Sequence, residues 1–310
     1  MTLTRHQKHI VDAAVSITLD APTDEDKAFM ARQLVQATLP HKNPGDVPVW
    51  TRKNGNLTLV VQPGWNTKTN QSFGYPYGTI PRLLLFWITT EAVQKKSKRL
   101  ELGDSLAGFM EEVGLSSTTG GGKRGDAARL KDQMARLLRA SISFQQDIEE
   151  GGREGLRYRD MRVSDDGMLW WDYKEPSQRT LWGSWLELTP RFYEAVTANP
   201  IPVDTRALRA LKRSPLALDL YSWLTYEAFR AHQKRTSRFV SWGLLMNQFG
   251  TDYATESDFR RKVKAALTKI RMVYPGLKLG DRLGGIEVLP TSLTAIRPRP
   301  SLELDKKPTS

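Results

Sequence analysis

Over residues 256–273, basic and hydroxyl side chains recur at a spacing suited to contact with duplex DNA. At 100° per residue, Ser257, Arg260, Arg261, Lys264, Thr268 and Arg271 fall on one stripe. Phe259, Val263, Ala266, Leu267, Ile270 and Val273 fall on the face turned away from it. A helix that enters the major groove needs this division, with an apolar anchor behind and donors in front. Arg and Lys donate to guanine O6 and N7, and hydroxyls reach either kind of base edge. Lys262 and Lys269 lie on a flank, where the phosphate backbone passes. The ordinary alternative for a charge run is a solvated face, but such faces mix signs. This stripe has no acidic member past Asp258. Arg282, at the turn of the hairpin expected next, is placed to touch the backbone or a minor groove.

A helix expected over 126–141 carries a thinner version of the pattern. Leu130, Met134, Leu137 and Leu138 form its apolar side, and Arg129, Arg136 and Arg139 face outward beside Asp132. Lys123 and Arg124 precede it. These five cations fit a second DNA contact or a face for homodimerisation, and the spacing leaves both open.

Other chemistries fit poorly. Gly120-Gly121-Gly122-Lys123-Arg124 looks like a phosphate loop, but Ser117 stands where the first Gly belongs and Arg124 where a magnesium-binding Ser or Thr belongs. His6 and His9 share a helical face without a third ligand, and there is no Cys, so no metal site is expected. No His-x-His pair is present to hold the metal of a nicking endonuclease. Adjacent acids, Asp165-Asp166 and Glu111-Glu112, point apart in strands and helices. The basic group Lys95, Lys96, Lys98 and Arg99 is read as complementing a helix C-terminus. The chain is expected to be no enzyme and to need no cofactor.

The elements that must position these residues form a repeated order. Helices are expected over 5–17 and after Pro22-Thr23, with Asp24, Glu25 and Asp26 in the first turn. Strands at 50–51 and 57–61 flank Asn54-Gly55, a hairpin turn signal. Next come a helix at 78–96, a strand at 100–102, a helix from Asp104 to the stop at Gly114, and the helix at 126–141. Strands follow at 142–149, 156–163, 168–173 and 180–188; their Trp170, Trp171, Trp182 and Trp185 are assigned to a core. After Asn199-Pro200-Ile201-Pro202, the candidate domain boundary, helices are expected at 204–211, 215–230, 242–249 and 256–273. Gly284-Gly285 breaks a last hairpin, 277–279 against 286–289.

Three helices followed by a glycine-turned hairpin is the winged-helix order, and it occurs twice. The expected fold is α+β and helix-rich, with two tandem winged-helix domains, the first enlarged by extra antiparallel strands. The boundaries are a helical extension at 1–48, a first domain at 49–199, a second at 200–292 and a disordered tail at 293–310. The charge distribution agrees with a reader in the second half. Residues 1–155 hold 20 Lys+Arg against 17 Asp+Glu, and residues 156–310 hold 26 against 17, within a total of +12. That excess points to a polyanionic partner. No apolar run resembles a signal peptide or a membrane span, so a cytoplasmic protein is expected.

Longer phrases carry a family resemblance. Phe73-Gly-Tyr-Pro-Tyr-Gly-Thr-Ile-Pro-Arg-Leu-Leu-Leu85, Glu101-Leu-Gly-Asp-Ser105 and Leu169-Trp-Trp-Asp172 are three of them. The run from Ile201 to Trp223 and Asp258-Phe-Arg-Arg-Lys262, leading to Tyr274-Pro275, are two more. Together they resemble the RepA-type replication initiators of bacterial plasmids, from about residue 50 to 289. The resemblance implies a protein that binds repeated sequences (iterons) in double-stranded DNA at a plasmid origin and helps open the adjacent duplex. It also implies recruitment of the host replication initiator and replicative helicase, dimerisation through the first domain, and repression of the protein's own promoter. A winged-helix transcriptional repressor without an initiation role is the alternative.

Overall fold

The computed structural model describes residues 4–117, 125–171, 175–179, 183–250 and 253–296. Lys123, Arg124, the glycine run before them, Trp182, and the part of the expected tail from 297 onward lie outside the described residues. The architecture is α+β, with ten helices and several small antiparallel sheets among the described residues.

The chain opens with α1 (Arg5–Leu19), closed at its start by a capping box in which Thr4 and Gln7 satisfy each other's backbone N–H. The second helix expected after Pro22 is instead a strand, β1 (Lys27–Ala31), followed by one short turn of helix, α2 (Arg32–Gln36). The 1–48 segment is therefore not simply a helical extension. Nor does it stand apart, because α1 packs on helices of the C-terminal half.

The first unit begins with the hairpin β2 (Trp50–Asn54) and β3 (Leu57–Gln62), turned at Gly55 with φ +61°. The short pair β4 (Trp65–Asn66) and β5 (Gln71–Ser72) follows. Next, α3 (Thr79–Lys95) is apolar almost all round and lies buried among β1 and later helices. After it come β6 (Arg99–Glu101), α4 (Leu106–Glu112, capped by Ser105) and α5 (Asp126–Arg139). The long hairpin β7 (Ser141–Glu150) and β8 (Arg153–Arg162) joins β2 and β3 in a four-stranded sheet ordered β2-β3-β7-β8. β9 (Ser164–Met168) and β10 (Trp185–Leu188) make a separate sheet with β6. The extra strands expected in this unit are present.

After α6 (Pro190–Thr197), the segment Asn199-Pro200-Ile201-Pro202, where a domain boundary was expected, is not a loop. It begins β11 (Pro200–Asp204), which pairs antiparallel with β1. The sheet has only these two strands, so prolines that lack an N–H are tolerated at its edges. The second unit then runs α7 (Thr205–Leu211), α8 (Pro215–Lys234), β12 (Arg238–Ser241), α9 (Trp242–Phe249), α10 (Glu256–Val273) and β13 (Gly285–Val288). β13 pairs with β12, and Val288 is bridged by Leu279. Helix, strand, two helices and a closing hairpin make this a winged helix. Residues 293–296, placed in the tail by the sequence, are packed: Leu293 bonds to Gly276 and Tyr274, and Ile296 is buried.

A buried ionic tie joins α3 of the first unit to α8 of the second. Arg82 on α3, 2% exposed, sends two N–H groups to the Asp219 carboxylate on α8 at 2.7 and 2.8 Å. Its other N–H groups reach the carbonyls of Leu39, Pro40 and Gly78. His41 Nε2 donates to Asp219 at 2.8 Å. Burial, with the neighbouring Arg82 charge, pushes the His41 imidazole down to about 4 and keeps it neutral. Burial alone would raise the Asp219 pKa, yet the Arg82 charge and the two hydrogen-bond partners hold it well below the carboxylate range.

Candidate nucleic-acid interface

α10 forms because its start and its apolar face are both specified. The Thr255 hydroxyl accepts from the Asp258 N–H, and Glu256 and Asp258 sit in the first turn, where the helix dipole favours acids. Phe259, Val263, Ala266, Ile270 and Val273 are buried against α7, α8, α9 and α1. That anchorage fixes which side faces out. Ser257, Arg260, Arg261, Lys262, Lys264, Thr268 and Arg271 are all exposed, as the wheel requires. Lys269 is half-buried, on the flank beside α1.

The exposed cations differ in how far they are engaged. Arg261 is held by Asp258 at 2.7 Å, and its hydrogen bond lowers the Asp258 pKa. Arg260 is 3.9 Å from Glu256, with its guanidinium 5.4 Å from the Trp242 ring. Lys262, Lys264 and Arg271 form no ion pair among the described residues. The Thr268 hydroxyl donates to the Lys264 carbonyl at 3.1 Å, which leaves its lone pairs outward. Two flexible cations, Lys264 and Arg271, and two hydroxyls, Ser257 and Thr268, thus share the outer stripe with few internal partners, and Lys262 stands on the flank.

The hairpin beside α10 is built from close backbone contact. A Cβ on Gly285 would lie 2.1 Å from the Val240 carbonyl oxygen, so only glycine fits where the two strands meet. The tip carries Arg282, exposed, with its guanidinium 4.0 Å over the Phe239 ring, and Leu283, which is 92% exposed. The sequence pointed to Arg282 but gave no reason to single out Leu283.

α5 treats its arginines differently. Leu130, Met134 and Leu137 are buried with Gln133. Arg129 is exposed and pairs with Asp126 at 3.1 Å. Arg136 is half-buried, paired with Asp132 at 2.9 Å, with its guanidinium 5.5 Å from the Tyr77 ring and a bond to the Tyr75 carbonyl. Arg139 is exposed.

Some assignments change. Trp171 is buried and stacked on Phe109, as expected of a core residue, but Trp170 is 46% exposed. Trp185 is half-buried beneath Arg99, whose guanidinium lies 3.9 Å from the ring centre. No group of three or more His, Asp or Glu suited to a metal occurs among the described residues, and no helix there is long and apolar enough to cross a membrane.

The family model described as plasmid-encoded RepA protein matches residues 75–243 of the chain. Among solved structures, a crystal structure of selenomethionine derivatives of domains 2 and 3 of RctB is similar at 13% identity and a TM-score of 0.43. That match covers 81% of this chain and 94% of the other. No curated protein sequence matches.

Proposed function

The chain belongs to the family of plasmid-encoded RepA proteins, and on that premise we propose that it is a replication initiator that binds iterons in duplex DNA at a plasmid origin. The observation that carries this reading is the outer side of α10. Ser257, Arg260, Lys264, Thr268 and Arg271 stand clear of the core on the third helix of a winged-helix unit, where such folds present their reader to the major groove. Lys264 and Arg271 are the foremost base readers, because nothing in the described chain neutralises them. Arg260 and Arg261 must exchange their carboxylate partners for DNA, and Lys262 and Lys269 serve the backbone. Arg282 and the wing lie beside the groove that α10 enters.

Binding positions the protein; opening the neighbouring duplex and recruiting the host initiator and replicative helicase complete its role. Homodimers through the first unit and repression of the protein's own promoter belong to the same reading. A plasmid that carries the gene and its flanking repeats, introduced into a host without another initiator for that plasmid, tests the whole proposal. Autonomous replication, with regularly spaced footprints over the repeats, is the expected result. Tight and specific binding without replication makes the protein a winged-helix repressor instead.

A further inference from the structure

The second half of the chain holds more cations than α10 uses, and four of them lie on or just after α7: Arg206, Arg209, Lys212 and Arg213. Arg206 is committed, since Asp204 holds it at 2.8 Å and Asp26 lies nearby. The other three line a cleft of about 1120 Å³ bounded by α1, α7 and the starts of α3 and α5. Arg5, His6 and His9 of α1 and Arg129 of α5 line it as well, against three carboxylates, Asp12, Glu111 and Asp126. Arg209 and Arg213 are exposed and form no ion pair among the described residues.

These charges act on one another. Burial lowers the Lys212 pKa; Asp126 opposes the shift, but Arg213 and Arg209 add to it. Burial likewise lowers the His6 pKa, with Lys269 of α10 and Arg213 contributing. One end of the cleft therefore lies within electrostatic reach of α10, and the other reaches the first turn of α5. No Phe, Tyr or Trp lines it among the described residues, and its only rings are the small imidazoles of His6 and His9. Six Arg and Lys against three carboxylates, with no large aromatic ring, suit phosphates better than bases.

We infer that this cleft is a second backbone-binding site, through which duplex DNA read by α10 continues towards α5; this rests on the reading of α10 as a DNA-contacting helix. Phosphate oxygens take the Arg209 and Arg213 guanidinium groups and relieve their mutual repulsion, and no base is read there. The site extends the footprint beyond the sequence that α10 recognises.

The test uses the full chain and an origin duplex extended on both sides of one repeat. In the Arg209→Ala/Arg213→Ala variant, the slope of log K against log salt is expected to fall by about two units. Hydroxyl-radical protection beside the repeat should vanish while protection of the repeat persists. Arg209→Lys/Arg213→Lys should restore the slope, because phosphate contact needs charge rather than a fork. The single variant Arg213→Gln, expected to lose about one unit, gives the same answer if the double variant misfolds. An unchanged slope in a folded variant overturns the inference. Lys264→Ala separates the two readings. If it abolishes discrimination for the repeat while the cleft variants change nothing, the cleft is not a site and α10 remains the reader. If the cleft variants lower the slope while Lys264→Ala leaves discrimination intact, the cleft stands and the α10 reading falls.

Discussion

α5 and α10 occupy the same place in a chain order that occurs twice, and each carries arginines on its outer side. In α5, Arg129 and Arg136 are paired with acids one turn away, and Arg136 is half-buried against Tyr75 and Tyr77. In α10, acids are confined to the first turn, and Lys264 and Arg271 beyond it remain unpaired among the described residues. α5 has four Arg and Lys against two acids and α10 six against two, and the placement of those acids decides which cations are engaged. An arginine that satisfies its own fold has already made its hydrogen bonds, and it must break them to hold a phosphate or a base. On the proposal that α10 reads DNA, what sets it apart from α5 is the distribution of its acids as much as its supply of cations.

The comparison presumes a common frame behind both helices, and the Arg82–Asp219 tie is that frame. Asp219→Ala leaves a buried, unpaired guanidinium and is expected to lower unfolding free energy by about 3–5 kcal/mol in a denaturant titration. The same site sets an acid limit. The folded-state pKa of His41 is depressed to about 4, so between the ordinary histidine value and that figure the unfolded chain binds the additional proton. Stability is thus full above about pH 6.5 and falls as the pH drops towards 4. His41→Gln should flatten that segment of a melting-temperature profile.

The comparison itself predicts opposite outcomes for the two helices. Lys264→Ala and Arg271→Ala should each weaken binding to the specific duplex by about 1–3 kcal/mol without changing the melting temperature. Arg136→Ala should do the reverse: it costs about 1 kcal/mol of stability through lost packing and hydrogen bonds and leaves specific affinity nearly unchanged. If Arg136→Ala impairs binding as much as Lys264→Ala at equal stability, the two helices are equivalent readers. The smallest effect is expected at Lys262, whose loss should lower the salt slope by about one unit with little change in discrimination.

Much of this arrangement was legible before the fold. α9 and α10 have the bounds that apolar periodicity gave them, because a long amphipathic helix states its own buried face. The hairpin turns at Asn54-Gly55 and Gly284-Gly285 were equally local. The segment 24–36 was misjudged because β1 depends on β11, about 170 residues away, and local acids mimic a helix start. The same pairing makes a strand of the proline-rich segment expected to mark a domain boundary. Trp170 misled because residue type suggests burial while its exposure depends on how β9 and β10 meet. The burial of Arg136 was hidden for a related reason: Tyr75 and Tyr77 approach α5 only in the folded chain.

The central claim is that the outer side of α10 reads sequence. Its most direct test is the ratio of affinities for an origin repeat and an unrelated duplex at one fixed salt concentration, measured for the wild type and for Lys264→Ala/Arg271→Ala. The ratio is expected to fall at least about tenfold in the variant, equivalent to about 1.4 kcal/mol, as binding approaches the non-specific level. A folded variant that keeps the wild-type ratio would contradict the account.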